Sequence, residues 1–203
     1  TSNVGLVFDA LQTLQPRDDF PAGVPVVGET WDAFLNDTEG RHVHGEHVRQ
    51  ALNDARGGPV PEGNVGGGTG MICYGFKGGS GTASRRLAFG GKDYHVGAIV
   101  QSNFGRREQL TIAGVPVGRA LEDWEPDPRA GGEAGSVIAI VATDAPLLSH
   151  QLKRLARRVS LGIGRAGAIA GNGSGDIFLV FSTANAGGLH KSFRSCIGNI
   201  NDD

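Results

Sequence analysis

Apolar residues Val4, Val7, Phe8, Leu11 and Leu14 recur at spacings of three and four, predicting an amphipathic helix over 4–14 that ends before Pro16. A second short helix is expected over 46–55, closed by Gly57-Gly58-Pro59. The strongest helical pattern covers 149–161. There Leu148, Leu152, Leu155 and Val159 form one face, Lys153, Arg154, Arg157 and Arg158 form the other, and the Ser149 hydroxyl is a candidate cap. Between the helices the period shortens. Strands are expected at 21–27, 71–76, 85–89, 95–102, 109–112, 137–142 and 177–181, the last two rich in β-branched residues. Trp31, Phe34 and Leu35 lead into a polar turn at 36–40, and 121–135, with two prolines and no apolar period, reads as an exposed loop. Strands followed by helices suggest an α/β chain, with sheet packed between helical layers.

Composition changes this picture in one respect. Glycine accounts for 34 of the 203 residues and clusters between Gly57 and Gly105, so tight turns and close backbone approaches are expected within the sheet. A formal net charge of −2 provides no field for nucleic acid or a membrane surface, and no run is long and apolar enough to span a bilayer. Cys73 and Cys196 are too few for a disulfide framework or a thiolate zinc cluster. The chain starts Thr-Ser-Asn. An upstream segment is therefore expected, and the cytoplasm is the expected compartment, with the periplasm as the alternative.

Several motifs have an ordinary structural explanation. Gly162-Ile163-Gly164-Arg165-Ala166-Gly167 has the letters of a dinucleotide fingerprint but follows a helix instead of opening one. The segment 63–81 lacks the Gly-Lys-Ser/Thr ending of a phosphate loop, since Gly78 follows Lys77. His42, His44 and His47 match no metallohydrolase spacing and read as a polar loop entering a helix, so no metal or other cofactor is expected. Cys73, between Ile72 and Tyr74, reads as a small buried hydrophobe. Gly135-Ser136 differs from these, because a loop ends and a buried strand begins there. Glycine permits the backbone geometry in which the Ser136 hydroxyl attacks the preceding carbonyl, although a Gly-Ser pair before a strand is ordinarily a turn.

Four ordered blocks favour the first of these readings. They are 63–71 with 76–85, 101–105, 112–118, and 135–138 with 142–148. Together they resemble the L-aminopeptidase/D-esterase (β-aminopeptidyl) family of self-cleaving N-terminal-nucleophile aminopeptidases. The likeness runs from about Thr1 to Asn185, with the tail 187–203 departing from it, and family members are longer at both ends, so an incomplete chain is expected. The resemblance implies an αββα sandwich of the N-terminal-nucleophile type cut between Gly135 and Ser136. Residues 1–135 would form the larger piece, and 136–203 would begin the smaller.

The resemblance also implies roles. Ser136 is the nucleophile, Ser174 bridges it to Asp176, and the Asn103 amide stabilises the oxyanion. Trp31 stands where the family commonly has a tyrosine, so an indole N–H replaces a hydroxyl. The implied partners are small peptide, amide or ester substrates, with neither nucleic acid nor membrane, and the implied assembly is a homo-oligomer of processed heterodimers. Two alternatives stay open: a non-catalytic remnant serving as a binding or structural module, and a metal-dependent hydrolase using His42, His44 and His47.

Overall fold

The computed structural model describes residues 4–14, 25–121 and 135–185. The expected loop between Leu121 and Gly135, the tail 187–203 and most of the 21–27 strand lie outside them; residues 25–27 are not in a strand.

Helices α1 (Val4–Leu14) and α2 (Gly45–Asn53) pack against each other, with Val48 of α2 buried. Two short strands, β1 (Ile72–Cys73) and β2 (Phe76–Lys77), occupy the place of the single strand expected at 71–76. Tyr74 and Gly75, both at positive φ, turn the chain between them. The main sheet comprises β3 (Gly79–Phe89), β4 (Lys92–Asn103), β5 (Ser136–Thr143) and β6 (Ile177–Ser182), in the order β3-β4-β5-β6. β3, β4 and β5 run antiparallel in sequence, whereas β5 and β6 are parallel. A parallel pair needs a crossover, and helix α3 (Ser149–Arg165) supplies it, packing on β6.

Some boundaries differ from expectation. β3 starts six residues before Arg85, because its glycine-rich start pairs with β4 as far as Gly79↔Ser102. Residues 109–112 are not a strand. Arg107–Gln109 form a 3₁₀ turn, and Ile112 joins only an isolated bridge to Val115. Ser149 does not cap α3. Leu148 is the cap residue, and its N–H donates to Gln151 Oε1 at 2.8 Å, so the side chain of the first turn reaches back. Gly162–Gly167 closes the helix as expected. Gly167 has φ +106°, and a Cβ there would lie 1.7 Å from Gln109 O, so only glycine fits.

β5 is one of the two central strands and supplies three of the buried apolar residues. Val137, Ala139 and Val141 are buried on the face that α3 covers, where full burial of a valine is worth roughly 1.5–3 kcal/mol. Alternation along the strands puts Ser136, Ile138 and Ile140 on the other face, beside Ile177, Leu179 and Phe181 of β6. Leu179 and Phe181 remain 36% and 43% exposed there. The architecture is α/β, and among the described residues one main sheet with α3 on one face is formed. The second sheet of an αββα sandwich would cover the opposite face. No helix among the described residues is long and apolar enough to cross a membrane.

Candidate active site

The register of β4 and β5 sets Asn103 directly opposite Ser136, at the last position of β4 and the first of β5. Both residues are buried, each 6% exposed. Asn103 is held at both ends of its amide. Its Oδ1 accepts the Ile72 N–H at 2.9 Å, and its Nδ2 donates to Trp31 O at 2.8 Å. An amide nitrogen has two N–H groups, so a second donor remains on the Ser136 face of the sheet.

Two residues upstream on β4, on the same face, Gln101 Nε2 donates to the Thr30 hydroxyl, which donates to Met71 Sδ at 2.9 Å. The segment carrying Trp31 is thus pinned to the sheet through the Trp31 carbonyl and the Thr30 hydroxyl. The Trp31 indole itself is 58% exposed. Asp32, next in the chain, is buried. Burial would raise its pKa, but hydrogen bonds from Asn36 Nδ2 (2.8 Å) and Thr38 Oγ1 (3.0 Å) outweigh this and hold it below the ordinary carboxylate value.

The parallel pairing of β6 with β5 brings the turn before β6 alongside Ser136. Asp176 Oδ1 accepts both the Ser174 hydroxyl and the Val137 N–H, the latter at 3.1 Å. The Gly175 N–H donates to Gly135 O at 3.3 Å. A Cβ placed on Gly175 would lie 3.9 Å from Ser136 Cβ, so the turn passes directly beside the serine. Gly135 is equally constrained. A Cβ there would meet Asn103 O at 2.7 Å and Phe104 Cα at 2.9 Å, so this position takes no side chain without a backbone shift. A cavity of about 70 Å³ opens on the α3 side, lined by Gly135, Val137, Ser174, Asp176, Ile163 and Phe178 among others, but not by Ser136. It flanks the serine on the opposite face of the strand.

Asn103 and Gly135 therefore flank Ser136, and the turn carrying Ser174 and Asp176 runs alongside it, whereas Trp31 contributes its carbonyl more than its ring. The other sequence candidates lie elsewhere. Burial pushes the Cys73 thiol up to about 11, only partly offset by a hydrogen bond from the Phe104 backbone, so it carries almost no thiolate at neutral pH. Lys77 Nζ donates to the carbonyls of Gly68, Met71 and Gly78 at 2.9, 3.1 and 2.7 Å. It clamps the glycine-rich segment with all three of its donors. His42 Nε2 pairs with Asp37 at 3.0 Å, and His47 Nδ1 accepts the His44 N–H at 2.9 Å as part of the α2 start. Among the described residues no group of three His, Cys, Asp or Glu side chains is disposed to hold a metal ion. Sequence reasoning missed the Gly135–Gly175 contact and the Ile72 anchor of Asn103, which join residues 40 and 31 positions apart. No local spacing signals either.

Comparison with known proteins places the chain in a family. Residues 1–198 match peptidase family S58, so the likeness extends past Asn185 into the tail that was expected to depart from it. The beta-peptidyl aminopeptidase of Sphingosinicella microcystinivorans is 50% identical over 200 aligned residues, which cover 92% of this chain and 50% of the relative. That of Sphingosinicella xenopeptidilytica is 47% identical, covering 91% and 50%. The L-aminopeptidase D-Ala-esterase/amidase of Ochrobactrum anthropi, described as a prototype for the serine aminopeptidases and a variant among the Ntn-hydrolase fold, superposes with a TM-score of 0.80. It is 52% identical, over 91% of this chain and 52% of that one. A Burkholderia sp. beta-aminopeptidase also has a TM-score of 0.80, at 49% identity, over 91% and 51%. The chain spans about half the length of the relatives it matches. With the sheet, the register and these likenesses in agreement, the chain belongs to peptidase family S58 and has the Ntn-hydrolase type of fold.

Proposed function

We propose that this chain carries the nucleophile and supporting groups of a serine-type, self-processing aminopeptidase that releases N-terminal residues from small peptides, amides or esters. The observation that carries the proposal is the meeting of Asn103, Ser136 and the Ser174–Asp176 pair at one end of the sheet. The Ser136 hydroxyl first attacks the Gly135 carbonyl. The resulting ester is hydrolysed, leaving residues 1–135 and a piece that begins at Ser136.

The new α-amine, with an unperturbed pKa of about 7.7–8.0, then serves as a local base. Ser174 relays between the nucleophile and Asp176, whose carboxylate takes up the proton's charge. The free N–H of Asn103 receives the oxyanion of the substrate acyl group. The two pieces stay together because β5, from one, pairs along its whole length with β4, from the other. β-Amino acyl or D-alanyl substrates belong to the proposal because the similar proteins bear those names.

The proposed whole is a homo-oligomer of such processed heterodimers. Its half-exposed apolar sheet face at Leu179 and Phe181 supports further protein cover. A net charge of −2 supports a reading without nucleic acid. The test is Ser136→Ala. Intact mass should show a single chain where the parent gives two, and amide hydrolysis should vanish. Two pieces from the Ala variant would end the proposal.

A further inference from the structure

Besides Ser136 itself, the contacts on either side of it carry information. The carbonyl before the serine, Gly135 O, accepts the Gly175 N–H at 3.3 Å, and the N–H after it, on Val137, donates to Asp176 Oδ1 at 3.1 Å. One tripeptide, Ser174-Gly175-Asp176, thus grips the main chain on both sides of a single residue, and its own hydroxyl and carboxylate are joined by a hydrogen bond. We infer that the Gly175 backbone N–H is the donor that polarises the Gly135 carbonyl and holds its oxyanion during self-cleavage. The inference rests on the self-processing reading above and adds a catalytic group to it.

The chemistry balances with water as the only co-reactant. The Ser136 oxygen bonds to the Gly135 carbonyl carbon while its proton passes toward the Ser174–Asp176 pair. The carbonyl oxygen takes the negative charge beside the Gly175 N–H. The carbon–nitrogen bond then breaks, and the proton returns to the Ser136 nitrogen as the α-amine. Water hydrolyses the ester, giving the Gly135 carboxylate and restoring the hydroxyl. The Gly175 N–H lies 3.3 Å from the carbonyl oxygen before attack, so a small displacement of that oxygen as the carbon becomes tetrahedral brings it within the 2.7–3.1 Å that an oxyanion donor requires. The Asn103 backbone carbonyl lies 2.7 Å from where a Gly135 Cβ would sit, so the glycine is closely packed on that side as well.

Position 175 suits a clean test. Its φ lies outside the left-handed region, and a Cβ there would meet only Ser136 Cβ, at the ordinary contact distance of 3.9 Å, so the position is uncrowded and its N–H can be exchanged without a steric obstacle. Replacing the Ser174–Gly175 amide by an ester in the semisynthetic full-length gene product exchanges that N–H for oxygen with almost no change of shape. Cleavage is followed by intact mass. It should slow by the 10²–10³-fold typical of losing one oxyanion donor in the ester chain. Cleavage of the ester chain at the parental rate would overturn the inference and leave the self-processing reading standing. A parent chain that stays whole, or a Ser136→Ala chain that is cut, would instead overturn the reading beneath it. A second readout does not depend on rate. In the Ser136→Ala chain, the ¹³C carbonyl resonance of Gly135 should move when the Gly175 N–H is replaced, and an unmoved resonance also overturns the inference.

Discussion

At one end of the central sheet Asp176 accepts the Val137 N–H and the Ser174 hydroxyl; toward the other end Asp144 accepts the His95 N–H at 2.6 Å and faces the His95 ring at 2.8 Å. Each aspartate ties a main-chain N–H of a neighbouring strand and adds one side-chain partner. Their surroundings differ. Asp176 is half-buried in the turn that runs beside Ser136, whereas Asp144 and His95 are exposed, and the hydroxyl nearby is that of Thr143, which donates to His95 O at 2.7 Å. The same local bonding therefore closes a strand end in one place and supports a candidate nucleophile in the other. What separates them is which residues the sheet register and the crossover bring alongside.

The sharpest way to break this comparison is to remove one charge at each end. Asp176→Asn should lower amide turnover by about 10²–10⁴-fold while leaving the fold intact, the range attributed to positioned acid–base groups. The matching Asp144→Asn should leave turnover unchanged. Steady-state kinetics on both variants decide the point, and equal losses would show that the two ends are not functionally distinct.

Asn103→Asp sharpens the comparison further. The carboxylate keeps an acceptor for the Ile72 N–H but loses the donors toward Trp31 O and the oxyanion. Its kcat should fall about 10²–10³-fold with a smaller change in KM. An effect confined to KM would make Asn103 a binding group. At Gly135 the expected effect falls on processing. An alanine Cβ at 2.7 Å from Asn103 O must displace the scissile peptide, and a shift of about 1 Å costs on the order of 10²-fold in rate. A time course of intact mass on Gly135→Ala measures it.

The smallest effect is expected at Asp144 and shows only in its pH dependence. The His95 N–H, then the His95 ring, hold the Asp144 carboxyl below its ordinary value in the folded chain. A lowered folded pKa adds stability above the unfolded value of about 3.9, and that stability is lost as acid takes the pH down through the folded value. The melting difference between parent and Asp144→Asn should therefore be present at neutral pH and shrink below about pH 4. A difference that grows in acid would reverse the assignment.

Legibility in the sequence followed the range of the interactions. Helix α3 could be read because Leu152, Leu155 and Val159 repeat at the helical period and end half-buried against the sheet, with the basic residues outside. β5 could be read because a central strand covered by neighbours needs an unbroken apolar run. The Tyr74–Gly75 turn inside 71–76 could not be read, because Tyr74 adopts φ +53°, a conformation tyrosine rarely takes without tertiary constraint. The strand expected at 109–112 failed for a related reason. The segment answers to a 3₁₀ turn and to the Thr111 N–H bond with Ala166 O, a partner 55 positions further along the chain.

The candidate site divides in the same way. Sequence by itself determined the residue types and the order of the blocks: a glycine before a serine at the start of the most apolar strand, and a serine and an aspartate separated by one glycine. Family resemblance attached roles to them. Only the tertiary structure decided that Asn103 lies across from Ser136, that Ile72 and Trp31 fix its amide, and that Gly175 reaches the Gly135 carbonyl. Propensity and periodicity act within one turn or one pleat, whereas a strand register or a crossover joins residues tens of positions apart through hydrogen bonds that no local pattern encodes.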